Sequence, residues 1–177
     1  MLLIQLTGLS GSGKSTIADG TRTRLLEKGL PVEVIDGDIY RNKLYPELCF
    51  SREERCENIR RLAWLANRFV SHGVITLLAA INPFEEVRRE IKANGPHVKT
   101  VWIRCDLETL MKRDTKQLYR RAFLPEGHPD KILNLTGVND PFEIPEKADL
   151  IVDTTFEVEE ISIGKLYHFI LNTLETA

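Results

Sequence analysis

The 177-residue sequence has no long apolar run, no excess of either charge and few cysteines. Its longest nearly unbroken apolar stretch, residues 74–81, is interrupted by Thr76 and falls far short of the roughly 20 residues that span a bilayer. Lysine and arginine total 24 against 26 acidic residues, a net charge of −2, so the electrostatic footprint of a general nucleic-acid binder is missing. The three cysteines, Cys49, Cys56 and Cys105, form no CxxC pair and leave an odd thiol under any pairing, which suits a reducing cytoplasm better than a secreted disulfide framework. Residues 1–7 have no basic flank and lack the make-up of a signal peptide. These gaps exclude membrane-spanning, secreted, collagenous and coiled-coil classes. What is present, 42% hydrophobic and 28% charged residues, is an ordinary globular mixture and leads to the expectation of one cytoplasmic domain over 1–177, with no nucleic-acid or membrane partner.

Apolar runs of strand length alternate with helical patterns. Strands are expected at 2–7, 32–36, 74–81, 98–104 and 150–153. Between them, helices are expected from Lys14 to Lys28, from Ser51 with Glu54 completing a capping box to a stop at Gly73, and from an Asn82-Pro83 start toward Asn94. Asp106 reads as the N-cap of another helix, and 158–174 as an amphipathic closing helix. Such alternation implies an α/β fold of three layers, a mostly parallel sheet of about five strands between helices. Residues 124–138, rich in proline, glycine and asparagine, are long for a passive connection and read as a lid.

Gly8, Leu9, Ser10, Gly11, Ser12, Gly13, Lys14 and Ser15, followed by Thr16, fit GxxxxGK[ST] directly after an apolar strand and before a helix. The glycines let backbone N–H groups converge on phosphate oxygens, and the helix start adds its positive dipole end. Lys14 is placed to reach the β- and γ-phosphates of ATP, and Ser15 to offer a hydroxyl to Mg²⁺. The fold expected is therefore a P-loop NTPase fold, nucleotide-kinase-like.

The base-reading N-K-x-D motif of regulatory GTPases is missing, since Asn42-Lys43 is followed by Leu44-Tyr45. An acidic pair, Asp36 and Asp38, instead closes the second strand. Ligands of open parallel sheets bind at the carboxyl ends of strands, so both carboxylates should face the phosphate loop. One can orient metal-bound water and the other an acceptor hydroxyl; the plainer reading of Asp-Gly-Asp is a turn. Projected back along the long helix, the buried stripe through Ile59, Leu62 and Ala66 lands on Arg55 and Asn58. An inward arginine needs a carboxylate or a bound anion; the alternative is a solvent-facing first turn with Arg55 paired to a glutamate. A basic run, residues 113–121, stands before the lid, where phosphoryl transfer needs positive charge; a solvated helix face is the competing view.

With these pieces in order, the sequence resembles the adenylyl-sulfate kinase (APS kinase) family. The resemblance rests on residues 7–17, 36–41, 50–61, 81–84, 113–119 and 136–145. The FSxxxRxENIRR-like and TGxxDPxExP-like stretches are the specific ones. It implies ATP-dependent phosphorylation of the 3′-hydroxyl of adenosine 5′-phosphosulfate (APS) to give PAPS, with Mg²⁺, a homodimer and association with an ATP sulfurylase. By resemblance Asp38 and Arg41 approach APS, Asp38 at the attacking hydroxyl. Phe50 stacks on its adenine, and Arg55 and Asn58 form an APS-binding pair. Ile81 and Asn82 line the pocket, Lys116 is a lid lysine near the transferred phosphate, and Arg113 borders ATP, with the lid spanning about 113–140. Lys14, Asp38 and Lys116 are the expected catalytic residues. The nearest rivals are a P-loop kinase for another small anion and a nucleotide sensor without turnover.

Four positions depart from the family pattern. Asn82 stands where many members have a serine proposed to carry a phosphoryl group, and an amide cannot. Leu135 replaces a phenylalanine, turning adenine stacking into apolar contact. The lid is longer, with Leu133 in place of a lysine, leaving Lys131 or His128 as substitutes. Gln117 replaces a common glycine, which stiffens the hinge.

Overall fold

The computed structural model describes residues 1–95 and 97–176. In chain order the elements are β1 (Leu3–Thr7), α1 (Lys14–Glu27), β2 (Val32–Asp36), α2 (Gly37–Leu44), α3 (Arg52–Ser71), β3 (Ile75–Ala79), α4 (Glu85–Ala93), β4 (Val98–Arg104), α5 (Leu107–Arg113), α6 (Leu118–Ala122), β5 (Leu150–Asp153) and α7 (Glu159–Glu175). The strands form one sheet in the order β2-β3-β1-β4-β5, and every pair is parallel. This is the three-layer α/β fold with a parallel sheet that the alternation of elements implies.

Central strands in such a sheet are apolar on both faces because helices cover both. Leu2, Ile4 and Leu6 face a layer built with α1 and α7, where Ile17, Leu25, Leu166 and Ile170 are buried. Leu3 faces the opposite layer with Ile59, Leu62 and Ala66 of α3 and Val87 and Ile91 of α4. The stripe read along α3 is therefore its buried face. The capping box is present as expected, with Ser51 Oγ accepting from the Glu54 N–H and Glu54 accepting from the Ser51 N–H.

One local expectation needs correction and two others gain detail. Asn82 does not cap α4: that helix starts at Glu85, with Phe84 at the N-cap position and no side-chain cap. Asn82 is in the left-handed region at φ 42°, which asparagine tolerates better than most residues. Its amide turns inward to donate to Gln5 Oε1 (3.1 Å), and its carbonyl accepts from Arg88 Nη1 (2.6 Å) and Thr7 Oγ1 (3.1 Å). The Asp-Gly-Asp stretch is neither a turn nor only a pair of ligands. Asp36 caps α2, its Oδ1 accepting from the Asp38 and Ile39 N–H groups. The basic run before the lid also contains a second short helix, α6, entered through Gln117 at φ 55°.

The parallel arrangement delivers the ends of all five strands to one rim. Gly8 there comes so close to β4 that a Cβ would lie 2.3 Å from the Ile103 carbonyl oxygen, so no larger residue fits without moving the sheet.

Candidate active site

α1 begins as an anion site should. Gly13 at its N-cap provides no side-chain hydrogen bond and its first turn carries no acidic residue, unlike the first turns of α3, α4 and α7. The loop ahead of it floors a cavity of about 240 Å³ that is lined by Ser10, Gly11, Gly13, Lys14, Ser15, Thr16, Asp36, Asp38, Ile81 and Lys116, among others. Gly8 and Leu9 do not line it. Their carbonyls accept from Lys14 Nζ at 2.9 and 2.8 Å. Burial pushes the Lys14 ammonium down from 10.5 to about 8, against the opposing pull of Asp38. A bound triphosphate would favour the charged form. ATP binding above pH 8 is therefore expected to take up a proton and to weaken as the pH rises further. Calorimetry in buffers of different ionisation enthalpy reads this directly, and Lys14→Met should abolish it.

Ser15 and Asp36 meet at the cavity wall, with Ser15 Oγ donating to Asp36 Oδ2 at 2.5 Å. A hydroxyl and a carboxylate beside a phosphate cradle are the hard oxygen donors that suit Mg²⁺, which keeps waters and shares phosphate oxygens. The residues present fit the ion.

A second cavity of about 240 Å³ lies on the other side of the loop, between Gly11, Ser12, Gly13, Thr16 and Arg113. Arg113 is held there by donating from Nη2 to the Thr154 carbonyl at 2.6 Å.

The largest space is a cavity of about 540 Å³ lined by Ser10, Asp38, Arg41, Phe50, Arg55, Ile81, Lys116 and Leu135. A smaller recess of about 60 Å³ adjoins it through Asp38, Arg41, Phe50, Arg55 and Ile81 and adds Asn58 and Asn82. Phe50 is 53% exposed, and the Arg41 guanidinium lies 4.2 Å from its ring centre. Arg41 also donates to the Leu48 and Cys49 carbonyls.

Arg55 is buried and inward, with 9% exposure. Its partner is a carboxylate, Asp140 at 3.2 Å, rather than a glutamate of its own helix. Its Nε donates to the Phe50 carbonyl (2.9 Å), Nη1 to Thr136 Oγ1 (2.9 Å) and Nη2 to the Asn134 carbonyl (2.6 Å). Lys116 Nζ lies 2.6 Å from Asp38 Oδ2.

The stretch expected as a lid is anchored at both ends. Tyr119, buried in α6, donates its hydroxyl to the Ser10 carbonyl (2.8 Å), and burial raises its pKa. Leu135 is 6% exposed and packs with Leu110, Tyr119 and Ala122. Leu9 of the phosphate loop presses on Gly137, where a Cβ would come within 2.5 Å of its side chain and φ is 87°. Neither proposed substitute for the missing lysine lines the cavities described above: Lys131 pairs with Glu126 (2.8 Å), and His128 Nδ1 accepts from the Asp130 N–H. Arg121 lines the large cavity instead. It sits in a run of basic residues that gives no periodic signal, and the roles of Tyr119 and Asp140 depend on contacts distant in sequence.

The sequence model of the family described as "Adenylylsulphate kinase" matches residues 1–153. The chain belongs to this family. It is 39% identical over 165 residues to the adenylyl-sulfate kinase of Microcystis aeruginosa, covering 93% of this chain and 88% of that one. It is 40% identical over 164 residues to a probable bifunctional SAT/APS kinase of Sorangium cellulosum, covering 93% of this chain but 27% of that longer protein. Among solved structures, the Mycobacterium tuberculosis APS kinase in complex with AMPPNP and APS superposes with a TM-score of 0.88 at 33% identity, covering 96% of this chain and 97% of that one.

Proposed function

We propose that the chain transfers the γ-phosphate of ATP directly to the 3′-hydroxyl of adenosine 5′-phosphosulfate, giving PAPS and ADP, in one catalytic domain whose lid covers about 113–140. One observation carries this reading: the phosphate cavity and the large acceptor cavity share Ser10, Asp38, Ile81 and Lys116. A donor phosphate on the loop and a hydroxyl in the acceptor cavity therefore meet at Asp38 and Lys116. Phosphoryl transfer through a largely dissociative transition state asks mainly for alignment and charge neutralisation. Asp38 orients the hydroxyl and takes its proton late, while Lys14 and Lys116 face the charge on the transferred group. Mg²⁺, held by Ser15 with Asp36 behind it, would neutralise the β- and γ-oxygens when bound. Phe50 offers a face to adenine, with Leu135 packing apolar surface in the same cavity, and Arg41, Arg55 and Asn58 meet the phosphosulfate end.

The buried amide of Asn82 cannot form a phosphoenzyme. The purified protein with Mg-ATP should release ADP and PAPS when given APS, and little ADP with AMP or gluconate. No labelled protein should be recovered from γ-labelled ATP. Preference for AMP or gluconate would overturn the acceptor, and a phosphorylated residue 82 would overturn direct transfer. The same reading places the enzyme in the cytoplasm as a homodimer, with exposed Trp64 on α3 as an apolar contact. It also allows docking to an ATP sulfurylase, consistent with the fused relative.

A further inference from the structure

The stretch from Thr136 to Pro145 is among the most family-specific in the sequence, yet the transfer chemistry uses none of its charged groups. Its turn is built by other means. The Gly137 N–H donates to the Asp140 carbonyl (2.7 Å) and the Asp140 N–H to the Leu135 carbonyl (3.2 Å). Asn139 Oδ1 accepts from the Leu135 N–H and its Nδ2 donates to the Ile132 carbonyl, both at 2.7 Å. Farther on, Glu143 accepts from the Glu85 N–H and from Arg88 Nη2, both at 2.6 Å, anchoring the lid's end to α4. The Asp140 carboxylate takes part in none of these bonds. Among the described residues its polar partner is Arg55 Nη2.

Arg55 lines both the acceptor cavity and its recess, whereas Asp140 lines neither. A guanidinium has five N–H donors in a rigid fork. In Arg55 three are bonded to Phe50, Thr136 and Asn134, and Nη2 also lies 3.2 Å from Asp140 Oδ2 as an ion pair. One N–H on Nη1 and one on Nη2 are left uncommitted by these bonds. We propose that Asp140 is a positioning residue: from behind the cavity its carboxylate holds the Arg55 guanidinium by charge, with the uncommitted N–H donors left for the anionic end of the acceptor. It also keeps a buried cation neutralised while the cavity is empty, since an unpaired guanidinium in that place is strongly disfavoured. The inference rests on the acceptor reading above.

The test begins with wild-type turnover of APS; its failure would dispose of the acceptor reading and not of Asp140 in particular. Given turnover, Asp140→Ala is expected to raise the KM for APS about tenfold while kcat at saturating APS and the KM for ATP stay within about twofold, the pattern of lost ground-state orientation. Asp140→Glu keeps the negative charge and is expected to recover more of the loss than Asp140→Asn; it carries the test if the alanine variant folds poorly by thermal melt. In an Arg55→Ala background, Asp140→Ala should add nothing to the weakened APS binding measured by calorimetry, because residues acting as one unit are not additive. An unchanged or lower KM for APS, an equal rise for ATP, a glutamate variant no better than asparagine, or a full additional loss on top of Arg55→Ala would each overturn the assignment.

Discussion

Replacing Asp38 with alanine is expected to lower kcat by about 10²–10⁴-fold, the range over which positioned acid–base groups act. ATP affinity should change by less than about twofold, because in the proposed reading backbone N–H groups and Lys14, rather than this carboxylate, would grip the triphosphate. The fold should survive. Asp38 and Lys116 are 69% and 56% exposed at the side chain, and a pair that open to water contributes little to stability. Asp38→Asn separates the two tasks of the residue. If orientation dominates, the amide should retain more activity than alanine; if proton acceptance dominates, both should fail alike. Turnover of Asp38→Ala near the wild-type rate would remove Asp38 from the mechanism.

The second large effect concerns Arg55. Arg55→Ala is expected to weaken APS binding by about 100-fold or more, as truncating one partner of a buried, hydrogen-bonded charge pair typically costs. ATP binding should stay within about twofold of the parent, since Arg55 lines the acceptor cavity and recess but not the cavities around the phosphate loop. The same change removes the bonds to Asn134 and Thr136, so amide exchange in that part of the lid should accelerate. Equal losses for both substrates would reduce Arg55 to a structural role.

Much of this arrangement was legible in the sequence because local rules and the fold agree there. The loop motif requires a strand before it and a helix after it, and β1 and α1 are in place. The Ser51–Glu54 box and the apolar stripe fix both the start and the inward face of α3, and with them the direction of Arg55. What remained unread depends on contacts distant in sequence. Nothing near Asn82 announces that buried Gln5, tied to the Arg88 carbonyl and Thr100, would draw its amide inward and leave α4 without a side-chain cap. Asp36-Gly37 has the composition of a turn, and α2 forms there because the aspartate caps a helix that glycine alone would not favour. The carboxylate facing Arg55 lies 85 positions along the chain, beyond any helical period. Gln117 takes up a left-handed conformation that a glycine would adopt without cost, so the hinge carries local strain that only the backbone angles disclose.

The strand order has a consequence for how the enzyme comes into being. Parallel neighbours require crossovers, and β1, central in the sheet, must find both β3 and β4 before its end is flanked. Five segments scattered from the first residues to beyond position 150 converge at the rim, and the phosphate cavity draws its lining from Ser10 to Lys116, so a nascent chain shorter than that lacks part of its wall. Capture of a fluorescent ATP analogue should appear only with the last, slowest phase of refolding, which makes ligand uptake a clock for completion of the molecule.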